Sequence, residues 1–204
     1  MSRSIGRSVL CHAAIGLLVG LTGLAPVGAP ADEAAHVLVH QDTIGYRMTH
    51  ERRALLNTIR YAEGTWKQGD EGYRTLYGGG RFSSLDKHPE VVVVKRYTSA
   101  AAGAYQFLPG TWKEAAAKLN LRSFKPKAQD QAALYLIDRR GALEELDRSG
   151  LTRNVMADLS KEWASFPSQN GLSAYGQPVK KATELAQFYE KNLQQLKRSR
   201  VAVA

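Results

Sequence analysis

Glu63 is the residue of this sequence whose position best suits acid–base chemistry. It ends a stretch, residues 51–63, in which apolar residues recur at helical spacing, and it follows Ile59 by four residues and Leu56 by seven. On a helix, Glu63 therefore shares their buried face. Burial and the negative end of the helix dipole both raise the pKa of a carboxyl group. A glutamic acid that stays protonated near neutral pH can serve as a general acid. The structural alternative is a Glu in the last turn paired with a neighbouring Arg.

The other reactive side chains form no pattern that supports metal or nucleophile chemistry. The histidines are scattered, and the one pair at i, i+4 spacing, His36 and His40, lies in a segment without sustained periodicity. The sequence contains neither a GxSxG nucleophile elbow nor a glycine loop ending in Lys-Ser or Lys-Thr. We therefore predict no metal site and no cofactor.

The net charge of +9, from 28 Lys and Arg against 19 Asp and Glu in 204 residues, predicts a polyanionic partner. Nucleic acid, anionic lipid and an acidic cell-wall polymer would all fit this charge. The basic residues are spread over all the predicted helices without interleaved aromatic residues, which argues against nucleic acid. The composition is that of one globular domain, which we expect to be a monomer.

Residues 1–31 have the profile of a secretory signal peptide. Arg3 and Arg7 precede an apolar stretch that runs from Val9 to Leu24, and the small residues of 29–31 predict cleavage after Ala31. Cleavage would leave 173 residues with a net charge of +7 and no cysteine. The mature protein would then be exported, to the periplasm or outside the cell. The alternative is an uncleaved or releasable N-terminal membrane tether, which would be its only membrane contact.

Beyond a lead-in at residues 32–48, the patterns predict one domain over 49–198 and a tail at 199–204. The first helix spans 51–63, with Thr49 as N-cap and Gly64 as stop. The glycine-rich residues 64–89 predict turns, and the valine-rich segment 91–97 predicts a strand.

Further helices follow the strand. Thr111 and Glu114 have capping-box spacing ahead of a helix that ends near Leu119. We predict the remaining helices at 126–141, 142–148, 153–164 and 178–197. The fold is thus predicted to be mostly helical with one small β region.

Six short segments resemble the lambda-phage type of endolysin, glycoside hydrolase family 104. Their order and approximate spacing agree with that family across about residues 52–197, which makes the resemblance more specific than any one motif. The segments are RYAEGT (60–65), YGGGRF (77–82), HP (88–89), GAYQF (103–107), WASFP (163–167) and YGQ (175–177).

The resemblance implies a lysozyme-like α+β fold, in which a helix ending in the catalytic Glu63 faces a small β region across a sugar-binding cleft. It also implies peptidoglycan glycan strands as substrate and cleavage of the MurNAc–GlcNAc β-1,4 bond. Enzymes similar to the lambda endolysin are lytic transglycosylases, which close the C6 hydroxyl of muramic acid onto C1. In that scheme Glu63 acts first as general acid and then as general base. A hydrolytic muramidase and a non-catalytic wall-binding module are the alternatives.

A hydrolase usually needs a second carboxylate across the bond, whereas a transglycosylase of this type does not. Asp86 is the downstream carboxylate that lies beside other expected cleft residues. Lys87, however, holds the place directly before His88-Pro89 where the family carries an acidic residue. We therefore interpret Asp86 as a loop-capping residue and leave Glu63 as the single catalytic carboxyl.

The same resemblance assigns substrate binding to residues around Glu63. Tyr105 and Gln106 match the block that lines the family's cleft, and their ring, hydroxyl and amide suit N-acetyl sugars. Their alternative role is to pin a turn. Weaker binding candidates are Phe82, His88 and Tyr175. Trp112 and Trp163 are predicted to lie in the core, while Trp66, just beyond Glu63, could stack on a sugar.

Overall fold

The computed structural model describes residues 45–201. The predicted signal segment 1–31, most of the lead-in and the end of the tail lie outside the described residues, so what we expect of them stays a prediction. No helix within residues 45–201 combines the length and the apolar character needed to cross a membrane.

Within the described range the chain is mostly helical with a small β hairpin, which confirms the predicted fold class. Two 3-10 segments, Trp66–Arg74 and Tyr77–Gly79, separate the first helix from the hairpin. The helices are α1 (His50–Ala62), α2 (Pro109–Leu119), α3 (Pro126–Arg139), α4 (Ala142–Ser149), α5 (Arg153–Leu159) and α6 (Ala182–Val201), and the strands are β1 (Val93–Val94) and β2 (Thr98–Ser99).

Helix α1 begins and ends within one residue of the bounds that the sequence predicts. The Thr49 side chain accepts a hydrogen bond from the Arg52 N–H at 3.2 Å. At the other end, Gly64 has φ +78°, and the N–H groups of Gly64 and Thr65 donate to the Tyr61 and Arg60 carbonyls. This is a Schellman motif, in which a residue without Cβ takes the left-handed position at low cost. The helix therefore ends at Ala62, with Glu63 as its C-cap.

The predicted strand 91–97 is shorter in the structure than expected. Only Val93 and Val94 pair, in antiparallel register with Ser99 and Thr98. Val91, Val92 and Val94 are exposed, and within the valine run only Val93 is partly buried against the core. Without such burial, β propensity alone does not extend the strand.

Several helix boundaries differ from the predictions. Helix α2 starts at Pro109 after Leu108, so Thr111 lies inside the helix and forms no capping box; proline is favoured at this first position because its missing N–H needs no partner. Helix α5 stops at Leu159, where the Ser160 hydroxyl bonds the Ala157 carbonyl. Helix α6 begins at Ala182 instead of 178.

The core is built around α1 and α3, with buried residues from each of the other helices packed against them. Leu55, Leu56 and Ile59 of α1 are fully buried, and this helix packs mainly against α6. Trp112 and Trp163 are both buried, as predicted. Because α1 is held along its whole length, its C-terminal end has a defined position in the fold.

Candidate active site

A cleft of about 510 Å³ opens at the C-terminal end of α1. Its walls include Glu63 at the end of α1, residues 97–99 at β2, residues 162–165 after α5, and Tyr175 in the loop before α6. The small β region thus faces the end of the first helix across the cleft. This is the size range of pockets that bind small ligands.

Glu63 is the half-buried C-cap residue of α1. Burial raises its pKa to about 7, against an opposing effect of the Ser165 hydroxyl, which donates a hydrogen bond to Oε1 at 2.6 Å. In the part of the chain that the structure describes, no Lys, Arg or His forms a salt bridge with this carboxyl. Glu63 can therefore hold a proton near neutral pH, as a general acid must.

The sequence also allowed Glu63 to pair with a neighbouring Arg. This prediction is wrong for Arg60, the nearest Arg along the helix. The guanidinium of Arg60 lies over the rings of Trp66 and Tyr73, and its Nη2 donates to the Gly69 carbonyl at 2.5 Å. Trp66 is thereby held under Arg60 and packs edge-on against Phe188, at 5.7 Å between ring centroids. It does not line the cleft, so the prediction that it stacks on a sugar finds no support.

A second loop, residues 102–107, supports the end of α1. The buried Thr65 hydroxyl donates to the Ala104 carbonyl at 2.6 Å and so joins the helix terminus to this loop. Ala102 and Phe107 close the loop through reciprocal backbone hydrogen bonds of 3.0 and 2.9 Å. The buried amide of Gln129 accepts from the Ala104 N–H at 2.9 Å. The backbone around Glu63 is therefore fixed by long-range contacts.

Gln106 lines the cleft as predicted. Its φ of +49° lies in the left-handed region that a non-glycine residue rarely adopts, and such strained residues cluster at functional sites. The side-chain amide donates to the Gly103 carbonyl at 2.9 Å and the Thr75 carbonyl at 3.2 Å. Its NH₂ group thus pins the turn, while the residue still borders Glu63's cleft.

The prediction that Tyr105 binds sugar is wrong, because its side chain is fully buried. The hydroxyl donates to Asp130 Oδ1 at 2.5 Å. The same carboxylate accepts from Tyr73 at 2.8 Å and from Arg53 at 2.7 Å. The ring therefore has no surface for a glycan and serves as part of a buried polar network.

The predicted substrate-binding role is also wrong for His88 and Phe82. His88 is 3% exposed, its Nε2 lies 2.8 Å from the Phe107 carbonyl, and its Nδ1 accepts from the Glu90 N–H at 3.1 Å. These partners define a neutral imidazole with the proton on Nε2. Phe82 packs against Phe124, with 6.0 Å between ring centroids, and lies outside the residues that line the cleft. Both side chains stabilise the loop.

Three tyrosines line the cleft. Tyr175 is 59% exposed and its hydroxyl donates to the Lys161 carbonyl at 2.8 Å. Tyr77 and Tyr97 line the same cleft. Sequence reasoning assigned Tyr175 but missed the other two; Tyr77 stands within a family-like segment, which was the available signal. Aromatic faces and hydroxyls together suit sugar rings.

Glu162 is the second carboxylate among the described residues that line the cleft. Its side chain is 7% exposed, and Oε1 accepts from Arg139 at 2.5 Å and Arg140 at 2.6 Å. Asp86 is exposed and bonded to the Ser84 hydroxyl at 2.8 Å, as expected of a loop-capping residue. Within residues 45–201, no three His, Cys, Asp or Glu side chains are grouped as metal ligands.

The fold is similar to two solved structures. The first is bacteriophage lambda lysozyme in complex with a chitohexasaccharide, with a TM-score of 0.66, 32% identity, and coverage of 72% of this chain and 96% of that chain. The second is lysozyme from bacteriophage lambda, with a TM-score of 0.60, 28% identity, and coverage of 75% and 96%. Together with Glu63 at the end of α1, these likenesses define a lysozyme-like glycosidase.

The particular family follows from the sequence. The family model described as Endolysin matches residues 53–196. The endolysin of Escherichia phage lambda is 35% identical over 150 residues, which cover 70% of this chain and 92% of the relative. The endolysin of Escherichia phage P2 is 30% identical over 145 residues, covering 63% and 85%. The chain belongs to the endolysin family and is an enzyme that cleaves cell-wall peptidoglycan, which confirms the predicted function class.

Proposed function

We propose that this endolysin is a lytic transglycosylase of glycoside hydrolase family 104 that cleaves the MurNAc–GlcNAc β-1,4 bond of peptidoglycan. The observation that carries the proposal is Glu63, a half-buried carboxyl group with a pKa of about 7 at the edge of the 510 Å³ cleft. The other carboxyl group among the described residues of the cleft, Glu162, is bound by Arg139 and Arg140.

The reaction needs one proton-transfer group. Protonated Glu63 gives its proton to the glycosidic oxygen as the bond from C1 to that oxygen breaks, and GlcNAc leaves as the alcohol. The C6 hydroxyl of muramic acid then bonds to C1, and its proton passes to the Glu63 carboxylate. The product is 1,6-anhydro-MurNAc, no water is consumed, and Glu63 returns to its protonated form.

The second cleft carboxylate favours this scheme over hydrolysis. A hydrolase uses a partner carboxylate as nucleophile or to activate water. In Glu162, Oε1 is bound by two guanidinium groups, which lowers its nucleophilicity and holds it in place. Asp86 is outside the cleft lining. Glu63 alone is thus available for acid–base work.

Glycan binding is assigned to the tyrosine-lined cleft. Tyr77, Tyr97 and Tyr175 offer ring faces, and Gln106 borders the same space. The lambda lysozyme relative was solved with a chitohexasaccharide. We infer that the peptidoglycan strand lies along this cleft, across Glu63, and that the enzyme acts as a monomer.

Product analysis tests the proposal. Purified sacculi are digested with the wild-type chain and with Glu63→Gln, and the released muropeptides are identified by mass spectrometry. We expect 1,6-anhydro ends from the wild type and a loss of turnover of about 10²–10⁴-fold in the variant. Reducing ends would identify a hydrolytic muramidase instead. Binding to sacculi without any released fragment would indicate a wall-binding module.

We propose further that residues 1–31 direct export and are removed near Ala31, which would bring the enzyme to its substrate. Immunoblots of membrane and soluble fractions should show a soluble protein shortened by the signal segment. A full-length protein that first fractionates with the membrane and later becomes soluble would support the releasable tether.

A further inference from the structure

Ser165 donates a hydrogen bond to the Glu63 carboxyl group from a distant part of the sequence. The two residues are 102 positions apart, and Ser165 Oγ lies 2.6 Å from Glu63 Oε1. Both line the cleft. In the described part of the chain, Oε2 has no protein partner. The two oxygens of the carboxyl group are therefore not equivalent.

We propose that Ser165 is a positioning residue for Glu63, which holds Oε1 through its hydroxyl so that Oε2 both gives the proton to the glycosidic oxygen and takes it back. This inference rests on the proposed function. In the protonated state, a Ser165 hydroxyl that donates to Oε1 leaves the acidic hydrogen on Oε2. After proton transfer, the same bond becomes charge-assisted and stabilises the carboxylate.

The position of Ser165 is itself well determined. Its carbonyl accepts from the Lys180 N–H at 2.9 Å, which ties together the two ends of the loop that precedes α6. The neighbouring Phe166 is fully buried, and the indole of Trp163 donates to the Tyr105 carbonyl at 3.0 Å. A hydroxyl fixed on both sides by buried residues can orient a catalytic carboxyl group with little freedom.

The charged groups nearest to Glu63 are held in ion pairs with other residues, so a change in the pH profile can be assigned to Glu63. Glu162 is bound to Arg139 and Arg140, and Lys180 is paired with Glu184 at 3.0 Å. Tyr77, Tyr97 and Tyr175 face the cleft from the remaining walls. Removal of the Ser165 hydroxyl should raise the pKa of Glu63, because that hydrogen bond lowers it.

Three loop variants test the inference by their pH–rate profiles on purified sacculi. In Ser165→Ala we expect kcat to fall about 10- to 100-fold with little change in KM, and the basic limb of the profile to move to higher pH. Ser165→Thr keeps the hydroxyl and should restore the profile. Ser173→Ala is the matched control, because Ser173 braces the same loop through Tyr175 N–H and Gln177 N–H without contacting Glu63; its basic limb should stay in place.

Titration of the Glu63 carboxyl by carbon-13 NMR gives a second measurement that does not depend on turnover. A higher pKa in Ser165→Ala than in Ser165→Thr supports the inference. A Ser165→Ala enzyme with the wild-type basic limb and carboxyl pKa overturns it, as does a loss of kcat that Ser165→Thr fails to rescue. If Glu63→Gln remains active, the proposed function itself fails; an inactive Glu63→Gln beside an unchanged Ser165→Ala profile rejects only the role of Ser165.

Discussion

The indole N–H of Trp163 donates a hydrogen bond to the main-chain carbonyl of Tyr105, across 58 positions of sequence and 3.0 Å of space. Trp163 belongs to the segment that carries Ser165 along one wall of the cleft. Tyr105 belongs to the loop whose Ala104 carbonyl accepts from Thr65, next to the end of α1. The bond thus links two chain segments that independently contact Glu63 or its helix terminus.

The pH dependence of the free energy of unfolding should reveal the raised pKa of the half-buried Glu63 carboxyl group. Its pKa of about 7 lies above the ordinary 4.5, so the proton is bound more tightly in the folded state. The corresponding stabilisation is present below pH 4.5 and is lost as the pH rises through about 7, with a difference of about 3 kcal/mol. We expect Glu63→Gln to be more stable than the wild type at pH 8 and to differ little at pH 4.

Urea unfolding at pH 4 and pH 8 measures this difference. The control is Glu190→Gln, which changes an exposed Glu of α6 and should leave the pH dependence as it is in the wild type. Equal pH dependence in the wild type and Glu63→Gln would contradict the raised pKa.

Tyr105→Phe separates a core role from a sugar-binding role. The change removes the hydroxyl that bonds Asp130 and should lower the free energy of unfolding by about 2 kcal/mol, because a hydrogen bond to a charged group is lost. The KM for sacculi should stay near the wild-type value. A large rise in KM with unchanged stability would restore the binding role that the sequence suggested.

Asp130→Ala should destabilise the protein more than Tyr105→Phe does. It leaves half-buried Arg53 and buried Tyr73 and Tyr105 without their common acceptor, at a cost of about 3–5 kcal/mol. Chemical denaturation checks the order of the two variants. Asp130→Asn, which keeps one acceptor oxygen but not the charge, should fall between them.

Two glycines near the site should differ sharply on substitution. In Gly103→Ala, the new Cβ would lie 2.3 Å from Gln129 Oε1 at a φ of +82°, whereas at Gly64, with φ +78°, it would meet nothing within 4 Å. We expect Gly64→Ala to cost about 1 kcal/mol from backbone strain, and Gly103→Ala to cost several times that or to prevent folding. Thermal unfolding of the two purified variants, together with their soluble yields, gives the comparison; similar losses would show that the Gln129 contact relaxes.

Glu162→Gln tests whether the second cleft carboxylate takes part in catalysis. Because Glu162 Oε1 serves Arg139 and Arg140, we expect loss of charge to lower stability by about 1–3 kcal/mol. Turnover should fall far less than in Glu63→Gln. A loss of activity equal to that of Glu63→Gln, with muropeptides ending in reducing sugars, would instead support a two-carboxylate hydrolase.

The sequence alone determined what depends on neighbouring residues. Thr49 and Gly64 delimit α1 through local hydrogen bonds and backbone conformation, and helical spacing then puts Glu63 at its buried end. The resemblance extended this to the fold and function class. Local patterns misjudged the capping box at Thr111 and the length of the valine strand, since proline at a helix start and missing burial outweighed them.

The tertiary structure decided which side chains reach the cleft. Tyr105 and His88 have residue types that suit sugars, but Asp130 and Phe107, distant in sequence, supply the partners that draw them inward. Ser165 reaches Glu63 only because α5 and the following segment fold back over the end of α1. A contact between residues 102 positions apart depends on the packing of the whole core, so sequence spacing alone cannot predict it.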